Sequence, residues 1–139
     1  MAAAHVDAIN VPLGLFDRLL GRDQSALDIK TQGIAVINDI VRLHALQHGL
    51  KMPGTLARLA ALADSPHLSS SDLHEWADAW RFMTGLRLRW QLEGAVDETD
   101  PNQVATDWMS NLERRQLKLA LRVLKDAQRG LMLTFRGGY

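Results

Sequence analysis

The sequence contains no cysteine. That absence excludes a disulfide framework, thiolate metal sites and thiol catalysis, and it suits a reducing compartment. Net charge is missing too: sixteen basic residues balance sixteen acidic ones, so no global field draws the molecule toward nucleic acid or an anionic membrane. Aromatic residues make up only 6% of the chain, and the alternating β-branched and aromatic runs that mark strands do not occur. No sheet is expected. No apolar stretch approaches the roughly 20 residues needed to cross a bilayer, and Met1–Asp7 lacks a basic start followed by an apolar run. The expectation is a soluble cytoplasmic protein with no membrane and no nucleic-acid partner. At 139 residues the chain suffices for one domain with a core of its own.

Leu, Ala, Arg and Gln dominate instead, and they are good helix formers. Residues 1–11 read as a flexible segment, 12–136 as a helical domain and 137–139 as a tail. Pro12 with Leu13, Phe16, Leu19 and Leu20 marks a short first helix ending at Gly21. An ordered connection from Gly21 to Gly33 follows. Ile34 to His48 carries Ile37, Val41 and Leu43 to Leu46 at helical spacing, with Gly49 as a left-handed stop. After the Pro53-Gly54 turn, Thr55 can cap a short helix bearing Leu56, Leu59 and Leu62. Ser69 to Asp72 and Ser110 to Glu113 have capping-box spacing, in which a Ser hydroxyl accepts from the third amide and the acid reaches back. Each opens a long helix. The first carries Leu73, Trp76, Trp80, Met83, Leu86 and Trp90, with Leu88 and Leu92 beside them, over roughly 36 Å to Gly94. The second carries Leu117, Leu121, Leu124, Leu131 and Phe135. Ala95 to Met109 between them is expected to be a crossover or an exposed loop. Two long amphipathic helices must bury their stripes against each other, so the predicted fold is all-α: an antiparallel helical bundle with two long helices and shorter flanking helices.

The chemistry-bearing residues are few. In the first 80 residues six basic face nine acidic, and in the rest ten face seven, so positive charge gathers on the long helices. Arg87, Arg89, Arg115 and Lys118 are candidates for a phosphate or substrate contact, against the alternative of solvated or ion-paired side chains. Arg87 and Arg89 point apart by about 200° on a helix, so only one can share a given face. Lys30 precedes Gly33, where amides at the start of the next helix would favour an anion; the alternative is a loop lysine pairing with Asp28 or Asp39. His44 and His48 have the spacing of helical zinc ligands but no third ligand, which favours packing or capping at the helix end. Trp76, Trp80 and Trp90 fall on the stripe that must be buried, which favours core over a cofactor box. Asp97, Glu98 and Asp100 read as a solvated loop rather than a metal site. Ser69 to Ser71 reads as a cap with no triad partner. No acid, base and nucleophile converge, so no catalytic residue and no metal ligand is assigned.

The polar residues between the stripes carry a resemblance. Pro12-Leu-Gly-Leu-Phe16, Leu27-Asp-Ile-Lys30 with Gly33-Ile34, Leu43-His-Ala-Leu-Gln-His-Gly49, Thr55-Leu56 with Arg58-Leu59, Phe82 with Leu86-Arg-Leu-Arg89 and Gln91, and Leu112-Glu-Arg-Arg115 with Leu117-Lys118 stand in this order. Together they make the chain similar to the putative nucleotidyltransferase substrate-binding domains of bacteria. The family tends to have a second glycine where Gln32 stands and often a histidine where Trp90 stands. The resemblance implies a signal-transduction protein whose catalytic nucleotidyltransferase domain, in the same chain or a separate subunit, is often joined by CBS or cyclic-nucleotide-binding domains. It implies that the catalytic domain holds Mg2+ and a nucleoside triphosphate, because the Gly-Ser turn and Asp-x-Asp that carry the chemistry are not in this sequence. No cofactor is expected in this chain. Expected partners are that domain and a nucleotide or protein acceptor, with a homodimer also allowed. The alternative is a regulatory interaction or dimerisation module without substrate contact.

Overall fold

The computed structural model describes residues 26–94 and 102–136, and within these the fold is mostly helical. The short first helix, the acidic Asp97–Asp100 stretch, the N-terminal segment and the tail lie outside the described residues. Four α-helices are present among the described residues: α1 (Ala35–Gln47), α2 (Thr55–Leu62), α3 (Ser70–Arg89) and α4 (Asn111–Arg136). Their limits follow local chemistry. Gly49 adopts φ 70° beyond α1, the left-handed conformation that an L side chain disfavours. Ser69 Oγ accepts from the amide of Asp72 at the start of α3. At α4 both halves of the box form: Ser110 Oγ accepts from the Glu113 amide, and Glu113 Oε1 accepts from the Ser110 amide. Asp72 is one methylene shorter than Glu113, and no reciprocal bond to Ser69 forms among the described residues.

Three expectations need correction. A two-stranded antiparallel sheet is present, β1 (Ala26–Asp28) with β2 (Gln103–Ala105), in the register Ala26↔Ala105, Leu27↔Val104 and Asp28↔Gln103. Three residues are too few to show a period, and what places the strands is the burial of Leu27 and Val104. The stretch before α4 is therefore not simply an exposed loop, since Val104 and Met109 are both buried. Helical structure before α1 begins earlier than Ile34, because Lys30–Ile34 forms a π-helical turn that runs directly into it. Thirdly, the residue capping α2 is Gly54; Thr55 is buried, and its hydroxyl donates to Asn38 Oδ1 of α1 instead.

The long helices hold the core between them. The last turn of α3 meets the first turn of α4 through Arg89 and Glu113, and the two pack along their lengths, so they run antiparallel. Leu73, Trp76, Ala79, Met83 and Leu86 from α3 join Leu117, Leu121, Leu124 and Leu131 from α4, and Ile37, Ile40 and Val41 of α1 close the third side. Met83 and Leu124 are fully buried. Trp80 is only partly buried and faces α1, where its Nε1 donates to Asn38 Oδ1 at 2.9 Å. Trp90 begins a second π-helical turn, Trp90–Gly94, and packs edge-on against Trp108 with ring centroids 5.2 Å apart. Leu46, Leu88 and Leu92 stay exposed beside the stripes.

Candidate functional site

The two strands bring the first π-helical turn and the end of α3 to one corner, and Asn102 is what joins them. Its carbonyl accepts from the Ile29 amide at 3.1 Å, while its side-chain Oδ1 accepts from Arg87 Nε at 2.8 Å. Lys30, the residue after Ile29, is exposed. Neither carboxylate expected to pair with it does so: Asp39 binds Arg42 at 3.0 Å, and Asp28 Oδ1 accepts from the Thr31 amide at 3.0 Å. Lys30 makes no ion pair among the described residues. Asn102 thus links the backbone beside Lys30 to Arg87, whose guanidinium it orients through Nε.

The backbone at this corner differs from the expectation of open amides after Gly33. The helical turn starts before the glycine, and its own residues already occupy it. Asp28 caps it from one side, and its amide in turn donates to Gln32 Oε1 at 3.1 Å; the Ile29 and Thr31 amides are taken. A carboxylate at this position does what an anion would do. Gly33 is buried, and a Cβ there would lie 2.7 Å from Met83 Sδ, so the glycine answers to close packing with α3. What the corner offers an anion is side-chain charge.

The other arginine is turned elsewhere, as the angular spacing requires. Arg89 binds Glu113 and reaches Glu93 at 3.7 Å, and its guanidinium lies 4.7 Å from the centroid of the Trp108 ring. Hydrogen bonding to Arg89 and to Ser110 holds the Glu113 carboxyl below its ordinary pKa, and bonding to Glu113 raises that of Arg89. Arg114 is likewise engaged, donating to the Thr106 carbonyl and to Asn111 Oδ1. These groups fasten α4 to the end of α3. Arg115 and Lys118 are exposed on the outer face of α4 and make no ion pair among the described residues.

The histidines serve packing. His48 Nδ1 lies 2.8 Å from the His44 carbonyl and, when the ring is neutral, donates to it. That tautomer leaves Nε2 to accept from Ser65 Oγ at 2.9 Å. Both ring nitrogens are engaged, and His48 closes the last turn of α1. His44 is buried against Trp76 with ring centroids 5.3 Å apart; burial, and secondarily the nearby His48, lowers its pKa from 6.5 to about 4. No group of three or more His, Asp or Glu side chains is arranged to hold a metal ion among the described residues. No helix among them is long and apolar enough to cross a membrane.

Asn102 and the Asp28–Gln32 cap were not anticipated from sequence. Asp28 with Thr31 and Gln32 does have the spacing of a cap, but Gly33 masked it by reading as a breaker. Nothing local marks Asn102, whose role depends on strand pairing across 70 or more positions.

These features define a helical bundle with a cationic corner at the junction of its small sheet and one long helix. The model of the family described as putative nucleotidyltransferase substrate binding domain matches residues 1–135, and the chain belongs to that family. Comparison with curated proteins and with solved structures gives no match.

Proposed function

We propose that the chain is the recognition domain of a nucleotidyltransferase and contacts a phosphate-bearing substrate through Lys30 and Arg87. One observation carries this: Lys30 is exposed and without an ion pair among the described residues, and the asparagine that accepts from the Ile29 amide beside it also accepts from Arg87 Nε. Two cations of different geometry around one oriented amide suit a phosphate, the lysine as a mobile point charge and the arginine as a planar donor. The carboxylates and Mg2+ that activate the triphosphate belong to the catalytic domain, with this bundle as a wall or lid beside it. Arg89 is assigned to holding the fold.

Calorimetric titration of a nucleoside triphosphate into the protein containing the catalytic domain tests the assignment. Loss of one charge-assisted contact is worth about 1.5–3 kcal/mol, or roughly ten- to a hundredfold in affinity. Lys30→Ala and Arg87→Ala should each weaken binding by that order, whereas Arg89→Ala should lower the melting temperature without a comparable loss of affinity. Unchanged binding in both of the first two variants would end the proposal.

A further inference from the structure

The outer face of α4 carries a second seam that the described residues leave largely exposed. Leu112, Gln116, Leu119, Val123, Asp126, Gly130 and Leu133 follow one another at alternating spacings of four and three, the pattern of a coiled-coil seam. This line is distinct from the one that builds the core, which runs through Leu117, Leu121, Leu124 and Leu131. Leu112, Leu119 and Leu133 are 66, 60 and 74% exposed, Val123 is partly buried, and a Cβ on Gly130 would meet nothing within 4 Å. Along one flank, seven residues apart, stand Arg115, Arg122 and Arg129, with Lys118 and Lys125 behind them. The three arginines and Lys118 are exposed and make no ion pair among the described residues. Along the other flank, Ala120 and Ala127 are buried in the bundle.

We infer that this seam docks an acidic amphipathic helix from a partner, with aliphatic residues on the leucines and carboxylates against Arg115, Arg122 and Arg129. Charge selects the partner. In a coiled coil the residues flanking the seam meet their counterparts on the facing helix and set which helix is accepted. A second copy fits poorly: antiparallel pairing sets arginine against arginine, and parallel pairing sets Arg115 and Arg122 opposite the buried Ala120 and Ala127 and Arg129 opposite Thr134, so no carboxylate meets them. Nucleic acid fits poorly because residues 112–133 contain no aromatic side chain on which a base could stack. An anionic bilayer fits poorly because the apolar line is one residue wide, whereas a helix lying in an interface needs a broad apolar face. Gln116 and Asp126 interrupt the apolar residues, and polar residues in a seam fix register at a cost in affinity. Docking is therefore weak, steered by charge and sensitive to salt.

A fluorescent synthetic peptide tests this. It carries heptads with leucine at the seam positions, glutamate at the flanking positions and one lysine placed to face Asp126, and it is titrated into the full chain by anisotropy. The expected result is saturable binding that weakens with added salt, falls about tenfold in Arg115→Ala/Arg122→Ala/Arg129→Ala, and falls also in Leu119→Ser. All four side chains are exposed, so circular dichroism of the variants should match the parent. A peptide of the same composition in scrambled order should bind more weakly. Equal binding of the scrambled peptide would reduce the seam to unspecific attraction and overturn the inference. So would the absence of saturable binding, or tighter binding of a duplex oligonucleotide or of phosphatidylglycerol vesicles that depends on the same arginines. Nucleotide affinity should be unchanged in Leu119→Ser and in Arg122→Ala/Arg129→Ala, which keeps this outcome separate from that at Lys30 and Arg87.

Discussion

The two long helices, α3 and α4, bury matching apolar faces against each other, yet their basic residues meet different surroundings. On α3, Arg81 pairs with Asp78 at 3.7 Å, Arg87 donates to Asn102, and Arg89 binds Glu113 and Glu93. On α4 the first turn is fastened in this way through Arg114, while Arg115, Lys118, Arg122 and Arg129 line the solvent side without an ion pair among the described residues. The difference follows from neighbours. The end of α3 faces Asn102, just before β2, and the start of α4, which supply an amide and a carboxylate, whereas the outer face of α4 has no neighbouring element among the described residues. Charge on α3 thus holds the fold and orients one candidate substrate contact, while charge on α4 is available for contacts outside the domain.

The sharpest way to break the comparison is to remove what the two helices share. Leu124 is fully buried in their common core, and truncation of such a leucine leaves a cavity that costs about 2–5 kcal/mol. Leu124→Ala should lower the urea midpoint by a corresponding amount. A variant that unfolded like the parent would mean that α3 and α4 are not held by this seam.

Next comes acid. Folded His44 has a pKa of about 4 against 6.5 when unexposed to the fold, so between these values the unfolded chain takes up a proton that the folded chain refuses. Stability from this group is intact above pH 6.5 and declines as pH falls toward 4, by about 3 kcal/mol in total. Urea melts at stepped pH should show that decline, and His44→Phe, which keeps a ring against Trp76, should flatten it. An equal slope in the variant would assign the acid sensitivity elsewhere.

The helix caps separate α3 from α4 more finely. Both serines accept from the third amide, but only Glu113 returns the bond. Loss of a serine cap costs about 1 kcal/mol, so Ser69→Ala and Ser110→Ala should lower the melting temperature alike, whereas Glu113→Ala, which removes the acceptor of the Ser110 amide, should lower it more than Asp72→Ala. Equal losses from the two acid variants would show that the return bond contributes nothing.

How much of this could be read in the sequence varies with the physics of each element. The starts of α3 and α4 were legible because a serine cap acts within a residue or two of where it stands, and the apolar stripes because 3.6-residue spacing is a local property. The end of α3 was not: Gly94 reads as its stop, but the α-helix ends at Arg89 and a π-helical turn follows. β1 and β2 were not, since three residues carry no period and their pairing is long-range. Gly33 misled for a related reason: a glycine chosen for contact with Met83, fifty positions away, looks like a breaker in one dimension. Of the candidate site, the division between Arg87 and Arg89 was legible from helix geometry alone. Which of them would be held by Asn102 was not, because no local pattern reveals that long-range contact.

The smallest expected effect bears most directly on the contrast between the helices. Arg89→Ala removes the partner of Glu113, leaving that carboxylate to cap α4 without its cation and exposing the Trp108 ring that the guanidinium covers. Arg122→Ala removes an exposed side chain that has no ion pair among the described residues, and substitutions of that kind usually fall within about 0.5 kcal/mol of neutral. The melting temperature should therefore fall for Arg89→Ala and stay close to that of the parent for Arg122→Ala. Added salt should narrow the gap between parent and Arg89→Ala, because the pair is partly solvated and screened, while leaving Arg122→Ala indifferent. If Arg122→Ala destabilised the fold as much as Arg89→Ala, the charge on α4 would be structural after all, and the outer seam could no longer be treated as a surface kept for a partner.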